Sequence, residues 1–293
     1  MRPHINYNTQ LKYIPIVVFY LCILPYSSGL VSAQDLNGSQ AGPEYIGLII
    51  SNRTLEEQVQ VDTLNPQLNV ALTIRPFVVK SEDGQSHFIP EALDSGLIKA
   101  NQYFSNIGIR FYADELQTIP EYEYCAITHR DSTVEMEVKY AIKDYVNLFL
   151  VDSIIFDGLP YYGYTFFPDD TIHSAIFLCK ANASGNYLTT LLGNFFGLLN
   201  THEFRGGLES VDESNCRDAG DYICDTWADP GLIGSVSDDC LYTGEIVDPN
   251  GDYYVPSVAN LMSDSNDLCK CIFSMEQYRR MKFYYMNYRS NLR

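Results

Sequence analysis

The apolar positions between Leu68 and Tyr112 predict a β-strand, a helix and a second β-strand. Leu68 to Lys80 is rich in β-branched residues, which is typical of a strand. Pro90 then opens a stretch in which apolar residues recur at helical spacing, and this stretch ends near Gly108, a residue type that commonly ends helices. Ile109 to Tyr112 is again short and apolar. The pattern therefore predicts a βαβ-like opening of the folded domain.

Later stretches extend this alternation of strands and helices. Tyr145 to Ile155 and His173 to Lys180 are predicted to be strands, the first of them buried. Thr133 to Tyr145 fits both an alternating strand and a helix. We favour the helix, because Ser132 and Glu135 have the spacing of a capping box.

The stretch Leu188 to Glu203 is largely apolar. It contains no proline, and its two glycines, Gly193 and Gly197, lie four positions apart. We predict a helix over Leu188 to Asn200, and we expect the preceding strands to support it.

The character of the chain changes after this helix. Glu209 to Asp252 is strongly acidic, contains many Gly and Asp residues and has little periodicity, which predicts loops. Ser274, with Gln277 three residues later, predicts the capped start of a final helix. We therefore divide the chain into an upper subdomain, residues 67–201, and a lower one, residues 202–293.

The N-terminal segment has the pattern of a secretory signal. Residues 1–33 combine a basic start, an apolar core and small residues before a cleavage site. The alternative is an uncleaved membrane anchor, but the apolar run is shorter than the ~20 residues that a span needs. Residues 34–66 are predicted to be a leader or pro-segment, with a short strand at Tyr45 to Ile50. We expect a secreted, periplasmic or cell-surface protein without a membrane span after cleavage.

The charge of the chain excludes some partners. The net charge of −18 becomes −20 when the basic residues Arg2 and Lys12 leave with the signal. This excess repels nucleic acid and anionic membrane surfaces, so we expect no nucleic-acid partner. The carboxylates of the acidic loops make calcium a candidate cofactor. No EF-hand spacing is present, and the alternative is a solvated acidic face.

Several spaced motifs resemble zinc peptidases of the metzincin class, and among them the pappalysin/cytophagalysin type. Leu188 to Glu203 is similar to their active-site helix, and Asn215 to Pro230 to a cysteine-containing loop. Asn260 to Ser263 is similar to their Met-turn, and Cys269 to Met281 to their closing helix. The resemblance implies a metzincin-like α+β fold. In such a fold, a twisted mixed sheet carries a backing helix and an active-site-type helix. A loop-rich, disulfide-braced subdomain follows, with a Met-turn and a C-terminal helix.

The residues that would bind and activate zinc are nevertheless replaced. The metzincin signature is H-E-x-x-H-x-x-G-x-x-H, in which three histidines bind zinc and the glutamate is the general base. Aligning Gly193 and Gly197 with the family's glycines places the histidine and glutamate positions on four residues of other types: Thr190, Asn194, Asn200 and Leu191. The family's accessory tyrosine falls on Asp264. We therefore expect no catalytic residue and no zinc, with structural roles for Gly193, Gly197 and Met262.

The resemblance also bears on the cysteines. Export makes disulfides expected, and four cysteines match the family: Cys216, Cys224, Cys240 and Cys269. Four cysteines allow three pairings, of which we favour Cys216–Cys224 with Cys240–Cys269. The remaining cysteines beyond the signal receive no assignment: Cys125, Cys179 and Cys271.

The histidines outside these motifs suggest no metal site. His202 and Glu203 have the order of a zinc motif, but the position four residues after the histidine is Gly206. We predict a solvent-exposed pair at a helix exit. The other three histidines beyond the signal are scattered among loops and strand ends: His87, His129 and His173.

Three hypotheses follow for the function. The first is a secreted, catalytically inactive relative of these peptidases that binds a peptide or protein in the former substrate cleft, with His173 to Lys180 as the edge strand that pairs with it. The second is an active metalloendopeptidase that uses a displaced or non-standard metal site. The third is a structural exported protein whose cleft is closed by its own side chains, Leu191 among them.

Overall fold

A six-stranded mixed sheet organises residues 43–61, 68–169 and 173–293, the parts of the chain that the computed structural model describes. The predicted signal and two parts of the predicted leader, residues 34–42 and 62–66, lie outside the described residues. In spatial order the strands of the sheet are β2 (Ile109–Ala113), β1 (Val70–Val79), β5 (Val146–Val151), β9 (Ala175–Cys179) and β8 (Gly163–Thr165), and β3 (Gln117–Ile119) also pairs with β1.

All neighbouring strands in this sheet run parallel except β8, which is antiparallel to β9. A smaller sheet contains β4 (Ala126–Ile127), β6 (Ser153–Phe156) and β7 (Leu159–Tyr161). The α-helices are α1 (Pro43–Glu57), α2 (Pro90–Phe104), α3 (Arg130–Tyr140), α4 (Tyr187–Phe195) and α5 (Met275–Tyr284).

The centre of the large sheet is buried on both faces, since every residue of β5 and β9 is buried. Because successive side chains of a strand point to opposite faces, Leu148 and Leu150 join one apolar core, whereas Phe149 and Val151 join another. The first core is completed by residues of α2 and α4, and the second by residues of the small sheet and Met136 of α3. This packing holds α4 firmly against the sheet.

The predicted βαβ opening is confirmed, since β1, α2 and β2 follow in order and β1 pairs with β2 in parallel. A short 3₁₀ turn extends α2, and Gly108 ends it in the left-handed conformation with φ of 75°. The final helix is also confirmed. Ser274 and Gln277 form the capping box that their spacing predicts.

The predicted short strand at Tyr45 to Ile50 is wrong, because this segment lies within helix α1. Tyr45 and Ile49, which are 0% and 1% exposed, lie four residues apart and pack on the same face of the helix. The helix packs against α5, where Glu56 forms a buried ion pair with Arg280. The described part of the predicted leader is therefore an integral part of the fold.

Three other boundaries also differ from the predictions. Helix α3 begins at Arg130, so Ser132 lies inside it and the predicted capping box does not form. The predicted strand Tyr145 to Ile155 is broken at Asp152, whose N–H donates to the carbonyl of Cys125, and its second half joins the small sheet. Helix α4 ends at Phe195 instead of continuing to Asn200.

The lower part of the chain is made mostly of loops braced by disulfides. Cys216 pairs with Cys224 and Cys240 with Cys269, the two pairs that the resemblance favoured. Among the described residues, none of the helices combines the length and the apolar character that crossing a bilayer requires. The division into subdomains 67–201 and 202–293 stays a prediction.

Candidate functional site

Helix α4 is the element on which the resemblance places the zinc positions, and all of its residues except Tyr187 are buried. Thr190, Leu191 and Asn194 are 1%, 0% and 0% exposed, and Asn200 in the following segment is 7% exposed. The helix is short because Gly197 adopts φ of 95°, a conformation that glycine reaches without strain and that ends helices. The chain then turns toward the Met-turn segment.

The polar side chains at these positions bond to the surrounding chain. Thr190 Oγ1 donates to the carbonyl of Leu261 at 2.7 Å. Asn194 Nδ2 donates to the carbonyl of Leu198 at 2.9 Å and lies 3.4 Å from Asn200 Oδ1. These contacts satisfy the Thr190 hydroxyl and the Asn194 side-chain N–H group, as burial of polar atoms requires, whereas Asn194 Oδ1 has no hydrogen-bond partner among the described residues.

Leu191 fills the space between α4 and the edge strand β8. A methyl group added to Gly163 of that strand would lie 2.3 Å from Leu191 Cδ1, closer than any carbon contact allows. All three residues of β8 are buried. The strand at the sheet edge next to the helix is thus covered by the protein itself.

The predicted edge strand is wrong, since β9, which forms the core of His173 to Lys180, has a partner on each side. It pairs with β5 and with β8. The sequence did not predict β8, because this strand has three residues and lies in an aromatic, turn-rich segment. Three residues are too few to show the alternating pattern of a strand.

The two glycines of α4 and its C-terminal turn allow close packing. A methyl group on Gly193 would lie 2.7 Å from the sulfur of Met262, and one on Gly197 would lie 2.6 Å from Tyr45 Oη. Tyr45 Oη donates to the carbonyl of Gly197 at 2.6 Å. Met262 is fully buried, and its N–H donates to Asn260 Oδ1 at 2.8 Å. The structural roles that the resemblance implies for these residues stay a prediction.

Beside this neutral site lies a charged cluster formed by His202, Asp229 and Asp264. One ligand atom from each of the three side chains lies within 4.8 Å of the others. His202 Nδ1 is 3.8 Å from Asp264 Oδ1, and the side chains of these two residues are 14% and 4% exposed. The prediction of a solvent-exposed pair at a helix exit is therefore wrong for His202, because the helix ends earlier and the chain turns inward.

Both aspartates of the cluster are held by hydrogen bonds. Asp229 Oδ2 accepts from Thr201 Oγ1 at 2.6 Å, and Asp264 Oδ1 accepts from the N–H of Leu232 at 2.7 Å. Burial raises the pKa of Asp229; the charge of His202 lowers it and that of Asp264 raises it. Sequence reasoning missed this cluster because its members are 27 and 35 positions apart and only tertiary structure joins them.

The other histidines lie in separate places. His87 pairs with Asp83, and His173 pairs with Glu137 at 2.8 Å. His129 precedes helix α3 and is exposed. Across the described ranges, the cluster of His202, Asp229 and Asp264 is the one group of three side chains with the types and spacing of metal ligands.

The acidic loops contain buried carboxyl groups of their own. The pKa of Glu209 is raised to about 9, mainly by burial and secondly by the negative charge of Asp221. Burial also raises the pKa of Asp221 to about 7, although the nearby charge of Arg280 opposes this shift. Calcium in these loops stays a prediction.

Solved structures provide the comparison for the whole chain. Mirolysin in complex with compound 9 is similar over 76% of this chain and 96% of its own, with a TM-score of 0.53 and 15% sequence identity. Metalloproteinase-II from Bacteroides fragilis has a TM-score of 0.28 and 13% identity, with coverage of 62% of this chain and 56% of its own. No family profile and no curated protein sequence matches the chain.

The likeness to mirolysin is a likeness of fold. The chain has a metallopeptidase-like α+β architecture with a mixed sheet, helices and two disulfides. This supports the metzincin-like fold that the resemblance implied. At 15% identity the likeness establishes the fold alone.

Proposed function

We propose that the protein is an exported, catalytically inactive relative of metallopeptidases, in which the position of the zinc site has become part of the packed interior. The observation that supports this most strongly is the burial of Thr190, Leu191, Asn194 and Asn200. A catalytic zinc needs three protein ligands and an open position for water. The enclosed helix offers no such position.

The chemistry of the replacing residues supports the same conclusion. Thr190 Oγ1 and Asn194 Nδ2 already donate to backbone carbonyls. Neutral hydroxyl and amide groups are poor ligands for zinc, which prefers imidazole nitrogen, thiolate and carboxylate. Leu191 cannot accept a proton, so it cannot replace a general base. These side chains thus supply neither the Lewis acid nor the base of peptide hydrolysis.

The closed surroundings of α4 favour a structural or surface-binding role over capture of a peptide in the former cleft. Addition of a peptide strand requires an accessible sheet edge, whereas Gly163, Tyr164 and Thr165 of the edge strand β8 are all buried. A peptide or protein ligand therefore remains part of the proposal only if it binds outside this cleft. The two disulfides and the predicted signal favour export.

Restoring the family's residues tests the alignment on which the proposal depends. A variant that combines Thr190→His, Leu191→Glu, Asn194→His and Asn200→His should gain one zinc ion with nitrogen ligands, measured by metal analysis after dialysis. The variant with Leu191→Glu alone is the matched control. It should gain no zinc and should lose stability, because it buries a carboxylate without a partner.

The wild-type protein is tested for hydrolysis in parallel. We expect no cleavage of a broad peptide library, with or without added zinc and with or without a chelator. Cleavage that a chelator abolishes would contradict the proposal directly. If the restored variant folds and still takes up no additional zinc, the assignment of the four positions is wrong.

A further inference from the structure

Three segments of the lower loops bring metal-ligating side chains together beside helix α4. His202 follows the helix, Asp229 lies in the loop after the first disulfide, and Asp264 follows the Met-turn methionine. We propose that His202, Asp229 and Asp264 bind one divalent transition-metal ion, at a site displaced from the position of the family's zinc. This inference goes beyond the proposed function, since the ion would brace the loops rather than hydrolyse peptides.

The three segments are already joined to one another without an ion. The N–H of Thr201 donates to the carbonyl of Met262 at 3.2 Å, which links the segment of His202 to that of Asp264. Thr201 Oγ1 donates to Asp229 Oδ2 at 2.6 Å, which links it to the third segment. The side chains are therefore held near one another by bonds that do not depend on the metal, as preorganised sites require.

The charge of the cluster favours a cation. Asp229 is 7% exposed as a residue, and the side chain of Asp264 is 4% exposed. Two carboxylates that share a buried site repel each other and disfavour each other's ionised forms. A divalent ion would offset this repulsion by supplying positive charge between the two carboxylates.

The ligand set indicates the kind of metal. One imidazole nitrogen and two carboxylate oxygens suit zinc and its first-row neighbours, whereas calcium takes oxygen ligands. Bond lengths of about 2.1 Å put neighbouring ligands of a tetrahedral ion about 3.4 Å apart. The separations of up to 4.8 Å require the ligand atoms to approach one another by up to about 1.4 Å.

The surroundings favour a structural ion over a catalytic one. Three protein ligands would leave a fourth position for water, but hydrolysis also needs a base. The adjacent Glu203 is committed to its own turn, since its Oε1 accepts from the N–H groups of Phe204 and Arg205, both at 3.0 Å. The ion would thus connect the segment after α4, the Asp229 loop and the Met-turn.

The test titrates the tag-free, full-length protein with Zn²⁺ after removal of metals by a chelator, and repeats the titration with Co²⁺. We expect one ion per chain by calorimetry, and a visible cobalt absorption typical of a low-coordinate site with nitrogen and oxygen ligands. His202→Gln and Asp264→Asn should each weaken binding by at least about 100-fold, more than loss of a residue that only orients a ligand. His87→Gln removes an exposed histidine and should leave binding unchanged.

Loss of folding in the variants is controlled for by circular dichroism and by a measurement on the unaltered protein. If the site exists, Zn²⁺ should protect His202 but not His87 from modification by diethyl pyrocarbonate, as read by peptide mass spectrometry. Absence of one-to-one binding, or equal modification of His202 with and without Zn²⁺, would overturn the proposed site. Peptide hydrolysis by the zinc-loaded protein would leave the site intact and overturn the proposed absence of catalysis.

Discussion

Helices α4 and α5 have nearly the same length and are both largely buried, yet they bury different chemistry. Helix α4 buries eight residues, from Leu188 to Phe195, none of them charged. Helix α5 buries Arg280 and Lys282 among its side chains. Helix α4, on which the sequence resemblance places the zinc positions, is thus neutral, whereas buried charge is concentrated where α5 meets α1 and the acidic loops. The two helices should respond differently to mutation and to pH.

The largest expected effect is the loss of the charge at the centre of α5. Arg280 Nε donates to Glu56 Oε2 at 3.0 Å, and the guanidinium also donates to the carbonyls of Asp221 and Tyr222. Arg280→Ala leaves a buried carboxylate and two carbonyls without their partner, so we expect a loss of about 3–5 kcal/mol in the free energy of unfolding. Urea denaturation measures it.

An exposed arginine serves as the matched control. Arg110→Ala should change the free energy of unfolding by less than about 0.5 kcal/mol. Combining Arg280→Leu with Glu56→Leu should recover part of the loss, since it removes the buried carboxylate as well. If Arg280→Ala lowers the free energy of unfolding no more than Arg110→Ala does, the buried ion pair does not distinguish the two helices.

The corresponding change on α4 removes apolar volume. Leu191 is fully buried and packs against Gly163 of β8. Leu191→Ala should destabilise the protein by about 2–5 kcal/mol through lost burial and the cavity left behind. Leu241→Ala, at an exposed position, is the control. Because no charge is involved, the loss at Leu191 should be the same at pH 6 and pH 8. A strong dependence on pH would contradict the contrast between the helices.

The pH dependence of stability should come from the region of α5 and the acidic loops. The folded protein raises the pKa of Glu209 from 4.5 to about 9, mainly by burial. Between these pH values the native state retains a proton that the unfolded state has lost. The free energy of unfolding should therefore fall as the pH rises from 5 to 9. Asp221, with a pKa of about 7, contributes in the same direction between its unfolded pKa and pH 7.

Glu209→Gln mimics the protonated carboxyl group. It should reduce the fall in the free energy of unfolding between pH 5 and pH 9 by about 2 kcal/mol, after allowance for screening by water. Glu245→Gln removes the same charge from an exposed position and should leave the slope as it is. Thermal unfolding at several pH values measures both. A decline of equal slope in Glu209→Gln and the wild type would place the responsible group elsewhere.

The sequence predicted best the elements whose signals are local. The strand–helix–strand opening and the stop at Gly108 follow from apolar spacing and one glycine. The cap of α5 follows from Ser274 and Gln277, whose spacing alone allows the reciprocal bonds. In each case the information lies within about a dozen residues.

The predictions failed where the partner is distant in the sequence. The segment Tyr45 to Ile50 was predicted to be a strand, because the helical pairing of Tyr45 and Ile49 becomes evident only through the contact of α1 with α5. His202 was predicted to be exposed because nothing near it indicates that Asp229 and Asp264 approach. The order of the sheet, with β8 at its edge, also depends on contacts that no local pattern encodes.

The smallest expected effect concerns the start of α5, and it shows how the two helices are held. Ser274 Oγ accepts from the N–H of Gln277 at 3.1 Å, and Gln277 Oε1 accepts from the N–H of Ser274 at 2.8 Å. Ser274→Ala should cost about 1 kcal/mol by thermal unfolding, with Ser274→Thr as the control that keeps the hydroxyl. The loss stays small because Gln277 is also bonded to Asn260 in both directions at 3.1 Å. At the start of α4, by contrast, the Asn186 side chain donates to the distant carbonyls of Asp267 and Lys270 instead of capping its own helix. A loss above about 3 kcal/mol in Ser274→Ala would mean that the start of α5 depends on the local cap alone.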